Sequence, residues 1–103
     1  MKSIAIYYLK LLPEISYVAR LCGYAIGLHG SIERDLDVVA IPWVPNAVEP
    51  AVLVNTLREA VCGSITEPEG RTYPTEKPHG RLAWIIQLGG AAYIDLSVMP
   101  KKA

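Results

Sequence analysis

The chain carries no net charge: ten basic residues balance ten acidic ones. A neutral total excludes a global field that would draw the protein to nucleic acid or an anionic membrane, so any anion site must be local. Cysteine is scarce. Cys22 and Cys62 are the only two, far apart and in no metal-ligand spacing, so a cysteine metal site is excluded and both read as small core residues of a reducing compartment. Long apolar runs are missing too. The stretch from Ile4 to Leu9 is interrupted downstream by Lys10, Pro13, Glu14 and Arg20, too soon for a bilayer span, and no small-residue cleavage site follows. The expectation is a cytoplasmic protein with no membrane contact. Repeats and low-complexity tracts are absent. Aspartate itself is rare, occurring only as Asp35, Asp37 and Asp95.

What is present fits one small domain over residues 1–103. The chain is 51% apolar and 19% charged, ordinary for a globular protein with a single modest core. Ile4, Tyr8, Leu11, Ile15, Val18 and Cys22 recur at alternating spacings of four and three, which predicts one helical stripe. Pro13 lies off the stripe and either kinks that helix or starts a second, and Gly23 supplies a C-cap. Tyr24–Leu28 reads as a short strand, Gly30-Ser31 as a turn, and Asp35–Ile41 as a second strand ended by Pro42 and Pro45. A helix then starts between Asn46 and Pro50, where Asn46 and Glu49 resemble a capping box, and runs to Cys62, with Gly63 closing it. Thr66–Gly80 is a polar loop rich in Pro and Gly.

The final element is a hairpin. Leu82, Trp84, Ile86 and Leu88 alternate with smaller or polar residues, as do Ile94, Leu96 and Val98. Both apolar sets share a face only if 86 pairs with 94 and 84 with 96. A plain two-residue Gly-Gly turn would scramble the faces. The expectation is therefore a three-residue connection, Gly89–Ala91, or an equivalent bulge. The fold class follows: α/β, a small mixed or antiparallel sheet with helices on one face.

This patterning isolates the aspartates. Leu36, Val38 and Ala40 turn to the core, leaving Asp35 and Asp37 on the opposite face, and Asp95 likewise opposes its own strand's apolar set. Aspartate is disfavoured in strands and costly to bury unpaired. Side chains at i and i+2 project together about 6.6 Å apart at the backbone. Such carboxylates repel unless a cation sits between them, and hard oxygen ligands suit Mg²⁺ or Mn²⁺. Gly30-Ser31 upstream offers backbone N–H groups and a hydroxyl to phosphate oxygens. Lys77, His79 and Arg81 cluster where the long loop enters a strand and could grip phosphate or an acceptor, and Tyr73 could stack on a base. His29 reads as a strand-end histidine satisfied by backbone, and Trp43 and Trp84 as core.

Gly30-Ser31, then Asp35-Leu36-Asp37 on a strand, then Asp95 on a later strand resembles the motif order of the DNA polymerase β-like nucleotidyltransferase superfamily. More closely, LHGSIERDLDVVAIPW, KPHGR and YIDLSVMP look like small nucleotidyltransferase-like proteins of bacteriophages and prophages. The resemblance implies a minimal nucleotidyltransferase fold in which Gly30 and Ser31 bind an NTP. Asp35 and Asp37 would ligate Mg²⁺ or Mn²⁺, and Asp95 would complete a catalytic site of three carboxylates. Two departures stand out. Only Ile32, Glu33 and Arg34 separate the Gly-Ser turn from the aspartates, so Arg34 is expected to take over some phosphate contact. No added helical domain holds the base or acceptor.

Two functions follow from this reading. The first is metal-dependent transfer of a nucleoside monophosphate from an NTP to a hydroxyl acceptor on a protein, nucleic acid or small molecule, with Lys77 and Arg81 as further phosphate contacts. The second is a catalytically inactive binding module of the same fold, a phage or host partner protein or an antitoxin-like protein. A homodimer or a protein partner fits either.

Overall fold

The computed structural model, which describes residues 3–65 and 74–101, turns the first apolar stripe into a single helix, α1 (Ser3–Leu21). Tyr8 and Ile15 are fully buried at its centre, flanked by buried Ala5 and Ala19 on one side and by half-buried Leu11 and Val18 on the other. Pro13 is exposed inside the helix and does not divide it. At its end the Gly23 N–H donates to Arg20 O, and Gly23 adopts φ +92. A Cβ there would lie 2.7 Å from Ala47 Cα, so glycine is required both by the left-handed backbone and by the close approach.

Strands β1 (Tyr24–Leu28) and β2 (Leu36–Pro42) form an antiparallel hairpin, with Ile26 opposite Ala40. Trp43 continues that register, its N–H donating to Gly23 O. Its parity turns it away from the core, and it is 62% exposed, against the expectation of a core residue. Trp84 is buried as expected.

Helix α2 (Pro50–Ala60) begins on Pro50, which needs no N–H in the first turn. The capping box does not form: Glu49 is the N-cap, and no side chain caps the helix. The C-terminal signal is also displaced by one residue. Cys62 N–H donates to Glu59 O and Gly63 N–H to Arg58 O, a Schellman arrangement in which Cys62, at φ 56, takes the left-handed position. Gly63 is needed for another reason, since a Cβ there would lie 2.6 Å from Ile86 Cγ2. Cys62 is exposed and Cys22 half-buried, and both are free thiols.

Strand β3 (Ser64–Ile65) follows, and after the undescribed residues 66–73 come β4 (Thr75–Glu76), a 3-10 turn at Pro78–Gly80, β5 (Leu82–Gly89) and β6 (Ala92–Val98). The second half of the expected Thr66–Gly80 loop is thus part of the sheet edge, while Arg71 and Tyr73 lie outside the described residues. The sheet order is β1-β2-β6-β5-β3, with β4 also pairing β5. Trp84 opposes Leu96 and Ile86 opposes Ile94, as the faces demand. The device is the bulge, with the register shifting between Gln87 and Gly89 so that Gly89 opposes Ala92.

Both helices pack on one side of the mixed sheet, over Leu36, Val38, Ala40, Trp84, Ile86, Ile94, Leu96 and Val98. Among the described residues, no helix is long and apolar enough to cross a membrane. The junction at Gly23 ties α1, β1 and the segment before α2 together. Gly23→Ala adds left-handed strain to an overpacked contact and is expected to cost about 2–4 kcal/mol in chemical denaturation. A loss under about 0.5 kcal/mol would show that Ala47 yields freely.

Candidate metal centre

The carboxylates are assembled by one pairing. β2 and β6 run parallel, and Asp37 stands directly opposite Asp95, so their side chains leave the same face. Asp35 immediately precedes β2 with the same parity. One carboxylate oxygen from each of the three residues lies within 4.8 Å of the others. All three are half-buried. Asp95 is in the middle of the sheet, between Asp37 on β2 and Ile85 on β5.

Electrostatics follow from that placement. Burial pushes the Asp95 carboxyl above its ordinary range, and the charges of Asp37 and Asp35 push the same way, partly offset by Lys77 and Arg81. Three converging hard oxygens carrying like charge fit a small divalent cation, which would keep water or substrate oxygens in its remaining positions. The donor set therefore suits a hard, oxygen-seeking cation better than a soft or nitrogen-seeking metal.

Around the carboxylates the other candidates divide. Gly30 (φ +71) lies against Asp37, where a Cβ would be 3.4 Å from Asp37 Oδ2. His29 N–H donates to Asp37 O at 2.7 Å. The His29 ring does more than expected of a strand end, because Nδ1 lies 3.3 Å from Asp37 Oδ2. Ser31 Oγ accepts the Glu33 N–H at 3.1 Å, a bond within its own turn that leaves the Ser31 O–H free to donate. Arg34 is exposed, and its carbonyl is taken by the chain's own Tyr8. Lys77 and Arg81 lie within electrostatic reach of Asp95 but form no ion pair with any of the three carboxylates. A separate concavity lined by Val54, Arg58, Ser64, Ile65 and Trp84 belongs to the helix-covered side.

Tyr8 is the residue that stripe reading misses. Its periodicity announces only a core position, yet its hydroxyl donates to Arg34 O at 2.8 Å and accepts the Tyr93 N–H at 3.1 Å. One buried phenol thus pins the segment entering Asp35 to the strand carrying Asp95. Burial also raises its pKa, the Tyr93 hydrogen bond opposing this and Asp35 adding to it. The available signal was chemical: a tyrosine on a fully apolar stripe needs a partner for its O–H.

Two outcomes are expected. Tyr8→Phe leaves a buried carbonyl and N–H without their partner and should cost about 1–3 kcal/mol in urea unfolding. For Asp95, the folded pKa exceeds the unfolded one, so the native state keeps a proton that the unfolded chain has released. Its contribution to stability is therefore present at low pH and is lost as pH rises from about 4 through the raised value. Asp95→Asn, in chelator at neutral pH, should be no less stable than wild type, and its stability should fall less across that window. A clear destabilisation at neutral pH would mean that Asp95 serves the fold itself.

Comparison with known proteins finds no match: no family model, no curated protein and no solved structure aligns with this chain.

Proposed function

We propose that the protein is a metal-dependent nucleotidyltransferase, moving a nucleoside monophosphate from an NTP to a hydroxyl acceptor. The observation that carries the reading is the convergence of Asp35, Asp37 and Asp95, the chain's only aspartates, to within 4.8 Å on one face of the sheet. The three carboxylates would hold Mg²⁺ or Mn²⁺. A bound ion there supplies Lewis-acid stabilisation of charge on phosphoryl oxygens and lowers the pKa of an acceptor hydroxyl. Asp95, whose charged form is disfavoured by burial and by its neighbours, is the carboxylate best suited to receive the acceptor's proton. Asp37 is oriented through its contact with the His29 ring. Gly30, Ser31, Arg34, Lys77 and Arg81 are the available phosphate contacts.

The second reading, a non-catalytic binding module on the same fold, draws on one observation. Only Ile32, Glu33 and Arg34 separate the Gly30-Ser31 turn from Asp35, and the Glu33 N–H donates to Ser31 Oγ inside that short turn.

Pyrophosphate release from each NTP, measured with Mg²⁺ or Mn²⁺ and a panel of hydroxyl acceptors, separates the two. The transferase reading expects release that falls by about 100-fold or more in Asp35→Asn, Asp37→Asn or Asp95→Asn. Retained metal binding without turnover of any NTP would favour the binding module.

A further inference from the structure

The β4–β5 hairpin carries a like-charge pair that its own fold does not explain. Lys77 N–H donates to Arg81 O at 2.8 Å, extending the register in which Glu76 opposes Leu82 and Thr75 opposes Ala83. Lys77 and Arg81 therefore stand opposite each other and share a face, an arrangement that destabilises a sheet unless something offsets it. Parity identifies the face. Arg81 alternates in step with Ala83 and Ile85, and Ile85 lies opposite Asp95, so both cations belong to the carboxylate side.

The aspartates are not their partners. Lys77 and Arg81 influence Asp95 through space, yet among the described residues neither forms an ion pair with Asp35, Asp37 or Asp95. Arg81 Nε is sealed from solvent with no hydrogen-bond partner there, a costly state for a charged group's donor. The turn presenting the pair is held firmly. Pro78 has a fixed φ, and Gly80 at φ +74 packs so closely on Pro100 that a Cβ would lie 3.3 Å from its ring.

We propose that Lys77 and Arg81 together form the main seat for the substrate's polyphosphate. The inference rests on the nucleotidyl-transfer reading and places the anion between the cationic pair and the carboxylates. A polyphosphate there supplies acceptors to both cations and relieves their repulsion. Removing a single charge-assisted contact of this kind weakens binding by about tenfold or more.

The test is calorimetry with two probes, Mn²⁺ alone and inorganic tripolyphosphate in the presence of Mn²⁺, on wild type, Lys77→Met, Arg81→Met and Ser31→Ala. Thermal melts confirm that each variant is folded. Lys77→Met and Arg81→Met should each weaken tripolyphosphate binding by about tenfold, more than Ser31→Ala does, while Mn²⁺ binding by both methionine variants holds within about twofold. Wild type failing to bind tripolyphosphate, or Ser31→Ala losing affinity while Lys77→Met and Arg81→Met do not, would overturn the proposal. The transferase reading fails separately. If wild type binds no Mn²⁺ but binds tripolyphosphate in chelator with the same dependence on Lys77 and Arg81, the metal reading falls and the anion seat stands.

Discussion

The parallel pairing of β2 with β6 is the constraint on which the site depends. It is the one parallel ladder among the described strands, and it places Asp37 beside Asp95 although 58 positions separate them in the chain. A slip of one residue would turn every side chain of β2 over, sending Asp37 into the core and Leu36 to the carboxylate face. The apolar alternation opposes that slip. Leu36, Val38 and Ala40 are fully buried beside Ile94, Leu96 and Val98, so misregister would exchange apolar burial for buried charge. Met99 N–H, donating to Ala40 O, extends the ladder one step past β6. The core on one face thus specifies the distances on the other.

Parallel strands need a long crossover, and most of the intervening chain is that connection. It runs through α2, β3, β4 and β5 before β6 enters between β2 and β5. The crossover also brings Lys77 and Arg81 to the carboxylate side, at the end of the sheet opposite β1. Helix α1 reaches the site by another route, through the Tyr8 hydroxyl. That phenol bridges two backbone groups which the sheet itself leaves unpaired, Arg34 O and Tyr93 N. Core packing and site geometry consequently meet in one side chain.

Much of this was legible in the sequence because periodicity is a direct record of burial. The α1 stripe, the opposition of 84 with 96 and 86 with 94, and the common face of the three aspartates all follow from which residues must avoid water. What periodicity does not record is how unburied groups satisfy themselves. Cys62 accepts a left-handed backbone because the Schellman bonds to Arg58 and Glu59 close the helix there, leaving Gly63 for a close approach to β5. Trp43 lies past the strand end, where a residue's side is set by a single hydrogen bond to Gly23. The strands β3 and β4 are two residues each, too short for alternation to register. His29 read as a backbone-satisfied strand end, but its ring turns to Asp37 because the hairpin sets the two on one face.

The balanced total charge conceals a segregated interior arrangement. Three carboxylates converge at the centre of one sheet face and two cations face each other at its edge, with no ion pair between the sets among the described residues. Lys77 and Arg81 act on Asp95 through space and offset only part of the repulsion from Asp37 and Asp35, so a cation at the carboxylates would oppose what remains. A ligand that binds only the native state adds to stability by mass action. For this small domain, with one covered face and a modest core, a cation held by the three carboxylates would therefore add to the stability of the fold.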